Sequence, residues 1–97
     1  MSTETTVDTK VRLREPTLYK VLLLNDDYTP QQFVVDILTD VFHKTEAEAY
    51  DLMMQVHRKG KGLAGIFTKE IAEQKVMEVS ILARHHQHPL ATTFEPA

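Results

Sequence analysis

The sequence predicts a small α+β sandwich, with a three-stranded antiparallel sheet packed against three helices in the order βααβαβ. Its 97 residues, 42% of them hydrophobic, suffice for one modest core. Short apolar runs suited to strands are separated by segments whose apolar residues recur at helical spacing. Strands and helices do not alternate regularly, which disfavours a parallel sheet and places the helices together on one face.

The N-terminal part of the chain differs from the rest. Residues 1–16 mix Thr, Glu, Asp, Lys and Arg without helix or strand periodicity and end at Pro16, which predicts a flexible tail. Residues 17–97 form the single predicted domain. It opens with an apolar run from Leu18 to Leu24, closed by Asn-Asp-Asp, which predicts the first strand.

Capping signals define the first two helices. Thr29, Pro30 and Gln32 predict a capping box for a helix over residues 30 to about 43, because Thr offers a cap oxygen and Pro fits the first turn. Thr45 and Glu48 predict a second box. The helix that follows continues to residue 59, where Gly60 predicts a left-handed cap.

The last three elements follow from turn residues and periodicity. Residues 61–68 are Gly-rich and close on an apolar pair, which predicts a second strand. Thr68 can cap a third helix, which Pro89 stops after His88. The inward face of that helix is predicted to carry Ala72, Val76, Val79, Leu82 and Ala83. Residues 90–94 alternate weakly and predict a third strand.

Composition argues against several classes of function. With 11 Lys plus Arg against 14 Asp plus Glu, the net charge of -3 gives no general attraction to nucleic acid or anionic lipid. The absence of Cys removes disulfides, thiolate catalysis and Cys-based zinc sites. A polar N-terminus and no long apolar run predict a cytoplasmic protein. Ser2 and Ser80 lack a nucleophile motif, so we expect no enzyme.

Two further motifs give weak signals. His85, His86 and His88 suggest a metal, but the first two point about 100° apart on a helix and no Cys or close carboxylate completes a ligand shell. Residues 58–62 combine cations with glycines but lack the Gly-Lys-Ser/Thr ending of a phosphate loop. We therefore expect neither a metal nor a cofactor.

The most informative cluster is the polar turn after the first strand. Asn25 and Asp26 place acceptor oxygens at a strand end beside a helix start, an arrangement able to receive a small cation such as an amine. The competing interpretation is an ordinary turn, in which Asn and Asp are common. His57 borders the apolar face of the second helix. It can equally be a core-edge residue near the helix C-terminus, where positive charge is favoured.

The same residues resemble a known family. The string Leu18-Tyr19-Lys20-Val21 followed by Asn25-Asp26-Asp27-Tyr28-Thr29-Pro30, then Val56-His57, Gly65-Ile66-Phe67-Thr68 and His88-Pro89-Leu90, resembles the ClpS adaptor family from about Leu18 to the C-terminus. This resemblance implies a bacterial-type adaptor that binds proteins by a destabilising N-terminal Leu, Phe, Tyr or Trp. It also implies delivery of those proteins to a Clp-type AAA+ unfoldase-protease.

The resemblance further implies roles for particular residues. It assigns the free α-amino group of the peptide to Asn25, Asp26 and His57. It assigns the side-chain pocket to Leu23, Leu24, Asp27, Thr29, Gln31, Val34, Met53, Val56 and Leu90. Glu70 and Lys75, on the predicted outer face of the third helix, match positions that dock the unfoldase N-terminal domain. The tail over residues 1–16 matches an extension that engages the unfoldase during delivery.

One position departs from the family pattern, and one other class of function stays open. Gln31 stands where most ClpS members carry Met, at the rim of the pocket. The residue is either a plain exposed first-turn residue or a determinant of which N-terminal residues bind.

The alternative function is a generic protein-interaction domain of ribosomal-stalk-like fold without an amine pocket. For an adaptor of this size we expect a monomer.

Overall fold

The computed structural model describes residues 17–97, and its elements follow the predicted order. The predicted tail over residues 1–16 lies outside the described residues. The α+β class is confirmed. The elements are β1 Leu18–Leu24, α1 Gln31–Asp40, α2 Glu46–Lys59, β2 Lys61–Thr68, α3 Lys69–His85 and β3 Ala91–Pro96.

The sheet is antiparallel, with β1 in the centre of the strand order β2-β1-β3. Val21 and Leu23 of β1 are fully buried, whereas Ile66 and Glu95, which pair with the neighbouring Lys20, are exposed. Because neighbouring residues of a strand point to opposite faces, the helices cover only the face that carries Val21 and Leu23. A bulge in β2 at Ala64 shifts the register between Val21 and Leu22.

One apolar core holds the sheet and the helices together. Its best-buried large side chains are Leu23, Leu38, Val21 and Val79, each less than 2% exposed. Three other members lie on α1 and α2 at the end of the domain that faces the β1–α1 loop: Val34, Met53 and Val56. Packing of these residues against the core fixes the position of α1 relative to α2.

The predicted capping box of α1 is wrong. Pro30 is the N-cap residue, in an extended conformation and without a side-chain hydrogen bond. The Thr29 hydroxyl instead donates to Asp26 Oδ2 at 2.7 Å, so it belongs to the preceding loop. The Gln32 amide donates forward to Asp36 Oδ1 at 2.9 Å rather than back to a cap. The loop therefore competes for the groups that a capping box needs.

Helix α1 is also shorter than predicted. It ends at Asp40, because His43 takes a left-handed conformation with φ of 57° and the N–H of Lys44 donates to the carbonyl of Leu38 at 3.0 Å. This bond spans seven residues, and His43 takes the left-handed conformation that Gly usually adopts at a helix end. A non-Gly residue at the left-handed position gave no sequence signal.

Helix α2 begins and ends as predicted. The capping box joins Thr45 and Glu48 by two hydrogen bonds of 2.9 and 3.2 Å, and Gly60 closes the helix with φ of 89°. Thr68 occupies the N-cap position of α3 but makes no side-chain cap bond. Helix α3 ends at His85, before the predicted His88, and His88 N–H donates to the carbonyl of Ala83 at 2.8 Å. Within residues 17–97, no helix has both the length and the apolar character needed to cross a membrane.

Candidate functional site

A cavity of about 240 Å³ opens between the β1–α1 loop and helices α1 and α2. Polar groups surround one side of it, and apolar side chains form the other. Its nine lining residues are Asn25, Asp26, Asp27, Thr29, Gln31, Val34, Met53, Val56 and His57. All nine belong to the twelve residues that the sequence comparison assigned to the amine site and the pocket.

Strand pairing brings Asn25 and His57 to the same cavity. Leu24 pairs with Lys61, and beyond that pair the N–H of Asn25 donates to the carbonyl of Gly60 at 2.9 Å. His57 lies on the last turn of α2, three residues before Gly60. The side chains of Asn25 and His57 are both exposed. Both can therefore present hydrogen-bonding atoms to a molecule that enters from solvent.

The carboxylate of Asp26 organises the β1–α1 loop. Its Oδ1 accepts hydrogen bonds from the N–H groups of Tyr28 at 2.8 Å and Thr29 at 2.7 Å. Its Oδ2 accepts from the Thr29 hydroxyl at 2.7 Å. Since each carboxylate oxygen offers about two lone-pair sites, Oδ1 is saturated and Oδ2 keeps one. Asp26 is thus largely committed to shaping the loop.

These contacts also set the charge of Asp26. Partial burial raises the pKa of the Asp26 carboxyl, but the hydrogen bonds from Thr29 and Tyr28, helped by the nearby charge of His88, outweigh it. The pKa of Asp26 is consequently lower than its ordinary value. The loop therefore carries an ionised Asp26 at neutral pH.

Asp27 and Gln31 complete the polar side of the cavity. Both side chains are exposed, and Gln31 is the first residue of α1. The two consecutive carboxylates therefore have different surroundings. Asp26 accepts hydrogen bonds within its own loop, whereas Asp27 is exposed at the cavity.

The apolar side is formed by Val34, Met53 and Val56, which are 7%, 3% and 2% exposed. Gly62 of β2 lies directly behind Val56. A Cβ at Gly62 would come within 2.7 Å of Val56 Cγ2 and 3.3 Å of Leu52 Cδ1. The absence of a side chain there lets α2 approach the sheet closely, which keeps Val56 at the cavity wall.

Comparison with known proteins identifies the family. Residues 14–93 match the model of the family described as ATP-dependent Clp protease adaptor protein ClpS. The chain belongs to the ClpS family. A ClpS adapter of Rhodospirillum centenum is 51% identical over 94 residues, which cover 97% of this chain and 87% of that protein. The ClpS adapter of Acetivibrio thermocellus is 50% identical over 98 residues and 99% of both chains.

A solved ClpS structure has the same fold. It is Agrobacterium tumefaciens ClpS2 bound to L-phenylalaninamide, with a TM-score of 0.83 and 42% sequence identity. The match covers 86% of this chain and 100% of the other. The relatives are named as adapters of an ATP-dependent protease.

Three residues assigned to the ClpS pocket do not line the cavity. Leu23 is fully buried and Leu90 is 6% exposed, and both belong to the core. Leu24 is half-buried at the end of β1. Strand and tail residues of this kind are apolar whether they serve a pocket or the core, so the sequence did not distinguish the two positions.

Of the two residues assigned to the unfoldase, only Glu70 is freely exposed. It lies in the first turn of α3. Lys75 is not on the outer face as predicted: it is half-buried and its Nζ donates to the carbonyl of Val41 at 2.8 Å. That carbonyl lies at the C-terminal end of α1, where a cation is favourable. No local pattern predicts this contact, because the two residues are 34 positions apart.

The C-terminal histidines pack on an aromatic ring. The Phe33 ring lies 4.6 Å from the His88 ring and 5.4 Å from the His86 ring, centroid to centroid. Within residues 17–97, no group of three or more His, Asp or Glu is arranged to hold a metal ion.

Proposed function

We propose that this ClpS protein binds polypeptides through a free N-terminal amino group and a large apolar first side chain, and delivers them to a Clp-type AAA+ unfoldase-protease. The observation that carries the proposal is the cavity itself, in which hydrogen-bond acceptors and an apolar wall face the same space. L-Phenylalaninamide, the ligand of the Agrobacterium ClpS2 structure, carries a free amino group and an apolar side chain, the two groups that such a cavity would suit.

The polar side suits an ammonium group. A free α-amino group has a pKa of about 7.7 to 8.0, so it is mostly protonated at neutral pH and requires acceptors. In this proposal the amide oxygen of Asn25 and a neutral ring nitrogen of His57 accept its hydrogens. Asp26 also contributes negative charge. Its Oδ1 already accepts two hydrogen bonds from the loop, so its main role is to stabilise that loop. Asp27, open to the cavity, supplies the uncommitted carboxylate.

The apolar side suits Leu, Phe, Tyr or Trp at the first position. Burial of a Leu or Phe side chain against Val34, Met53 and Val56 contributes roughly 1.5 to 3 kcal/mol, which favours large apolar residues over small or charged ones. A walled cavity also disfavours side chains branched at Cβ, since their extra bulk lies close to the bound backbone.

Delivery requires a second surface. We assign the contact with the unfoldase N-terminal domain to the exposed face around Glu70, with Lys75 supporting that face by holding the end of α1. The segment over residues 1–16 is proposed to engage the unfoldase during delivery. In this scheme the protein acts in the cytoplasm and performs no chemistry itself.

A pair of peptides tests the proposal. A peptide that begins with Phe and its N-acetylated twin are titrated into the protein and followed by calorimetry or fluorescence anisotropy. Acetylation removes the positive charge and adds bulk at the amine, so nearly all affinity should be lost. A generic interaction domain without an amine pocket predicts equal binding of the twins. Equal binding would therefore refute the adaptor mechanism.

Asn25→Ala is the matched variant for the peptide experiment. The substitution removes the amide oxygen but keeps the backbone N–H that bonds to Gly60. The acetylated and free peptides should differ much less in affinity for this variant than for the unmodified protein. An unchanged preference for the free amine would exclude Asn25 from the site.

A further inference from the structure

Phe33 lies on the side of α1 that faces away from the amine cavity. The α1 residues that line the cavity are Gln31 and Val34. At about 100° per residue, Phe33 points about 160° away from Gln31 and about 100° away from Val34. Its side chain is half-buried and does not belong to the cavity lining. Phe33 can therefore influence a bound peptide only through the position of α1.

Two histidines that follow α3 contact the Phe33 ring. The ring centroid lies 4.6 Å from that of His88 and 5.4 Å from that of His86, at interplanar angles of 65° and 58°. The two imidazole planes are nearly parallel, with 13° between them. Phe33 thus meets both imidazoles at a steep angle, at distances at which aromatic pairs attract each other.

The turn that carries these histidines is itself anchored at both ends. We call residues 86–89 the histidine turn. The N–H of His88 donates to the carbonyl of Ala83 at 2.8 Å, which joins the turn to the end of α3. Immediately after the turn, Leu90 is 6% exposed and belongs to the core. The histidine turn can therefore support Phe33 without moving itself.

The first turn of α1 has little other support within residues 17–97. Its N-cap residue, Pro30, provides no side-chain hydrogen bond. Gln31 and Gln32 are exposed. On the side of the cavity, Val34 packs in the core. Contact with the histidine turn through Phe33 holds the other side of the same helical turn.

The histidine turn also lies near the β1–α1 loop. Burial raises the pKa of Asp26, hydrogen bonds from Thr29 and Tyr28 lower it, and the nearby charge of His88 lowers it further. His88 is thus close to both segments that border the polar side of the cavity, the loop and the start of α1.

We infer that Phe33 and His88 are a positioning pair for the amine cavity. Their ring contact holds the first turn of α1, and through Gln31 and Val34 it sets the width of the opening that admits the first side chain of a peptide. In the peptide-binding function proposed above, on which this inference depends, a firmly held opening excludes Ile and Val, whose branch at Cβ lies close to the bound backbone. A loosened opening admits them and reduces the preference for Phe over Ile.

Two substitutions of His88 test the pair by affinity for free-amine peptides that begin with Phe or with Ile. His88→Ala removes the ring and keeps the N–H that bonds to Ala83. The ratio of the two affinities should fall by roughly threefold, within the range that one aromatic pair can supply. His88→Phe restores a ring against Phe33 and should restore the ratio. Tyr50→Ala, which removes an exposed ring from α2, is the matched control and should leave the ratio unchanged.

A double variant shows whether the two rings act on each other. Phe33→Ala should lower the ratio as His88→Ala does. The double variant F33A/H88A should lower it little further, because either single change already removes the contact. If the two effects multiplied, the residues would act independently and the pair would be excluded.

Amide hydrogen exchange follows the first turn of α1 without any peptide. The N–H groups of Phe33 and Val34 both donate to the carbonyl of Pro30, at 3.0 and 3.3 Å. Their exchange should be faster in H88A and should recover in H88F. The N–H of Ala49, bonded to Thr45 at 2.8 Å in the first turn of α2, should exchange at an unchanged rate.

Several outcomes would overturn the inference. One is an unchanged ratio of Phe to Ile affinity in H88A, even with lower stability in urea, since the contact would then serve the fold alone. Another is failure of H88F to restore the ratio, which would exclude the ring contact as the cause. Equal binding of free and acetylated peptides to the unmodified protein would instead contradict the proposed function, and amide exchange would still show whether the contact holds α1.

Discussion

The backbone N–H of Asn25 donates to the carbonyl of Gly60 at 2.9 Å, and this bond joins the two segments that border the proposed amine site. It ties the loop that carries Asn25 and Asp26 to the end of the helix that carries His57. Gly60 can accept the bond there because its φ of 89° turns the chain from α2 directly into β2.

Gly60→Ala should destabilise the protein for backbone reasons alone. A Cβ at Gly60 would meet no atom within 4 Å, so the cost is the left-handed conformation, about 1 kcal/mol. For a domain of this size, the melting temperature should fall by roughly 4 to 8 °C. Gly60→Asn is the control, since Asn tolerates this conformation better and should lose less stability. If the Gly60→Ala variant and the unmodified protein had the same melting temperature, the left-handed conformation at residue 60 would not carry this cost.

Asp26→Ala and Asp27→Ala should separate loop stability from amine binding. Removal of the Asp26 carboxylate abolishes three hydrogen bonds and should lower the free energy of unfolding by about 1 to 2 kcal/mol in urea denaturation. Asp27→Ala should leave stability nearly unchanged yet weaken binding of a free-amine peptide. The reverse pattern would show that Asp26 is the uncommitted carboxylate.

Low pH should remove the stabilisation that the Asp26 carboxylate gives the folded protein. Because its pKa is lower in the folded protein than in the unfolded chain, the stabilisation is complete above the unfolded value and is lost as pH falls through the folded one. The stability difference between the unmodified protein and Asp26→Asn should therefore shrink as pH decreases below about 4. A difference that stays constant down to pH 2 would exclude the ionised carboxylate as its cause.

The sequence predicted the order of elements and the residues around the cavity better than the contacts between them. Apolar periodicity and the capping box at Thr45 and Glu48 depend on neighbouring residues, which a sequence displays directly. The commitment of Asp26 to its loop instead depends on where Thr29 points. The bond from Lys75 to Val41 depends on tertiary packing across 34 residues. Leu23 and Leu90 look alike as pocket or core residues, and only the packed structure separates these positions.

Lys75→Met should destabilise the fold, whereas Glu70→Ala should not. Lys75 Nζ satisfies the carbonyl at the end of α1, and its loss should cost about 1 kcal/mol or more in urea denaturation. Exposed Glu70 makes no comparable contribution. Both variants should bind the isolated unfoldase N-terminal domain more weakly. If Lys75→Met kept full stability, its contact with Val41 would not support α1.

Gln31 should influence which first residues bind, because its amide lies at the cavity while its neighbours Val34, Met53 and Val56 are apolar. Gln31→Met replaces this amide, which must stay hydrated, with a thioether that can pack against a ligand. We expect the variant to bind Leu and Phe peptides more tightly and to discriminate more strongly against Ile and Val. The measurement is a set of peptides that differ only at the first residue, titrated into both proteins.

Gln32→Met, at the adjacent exposed position outside the cavity, is the matched control and should leave the ranking unchanged. Identical rankings for Gln31→Met and the unmodified protein would reduce Gln31 to an exposed residue of the first helical turn.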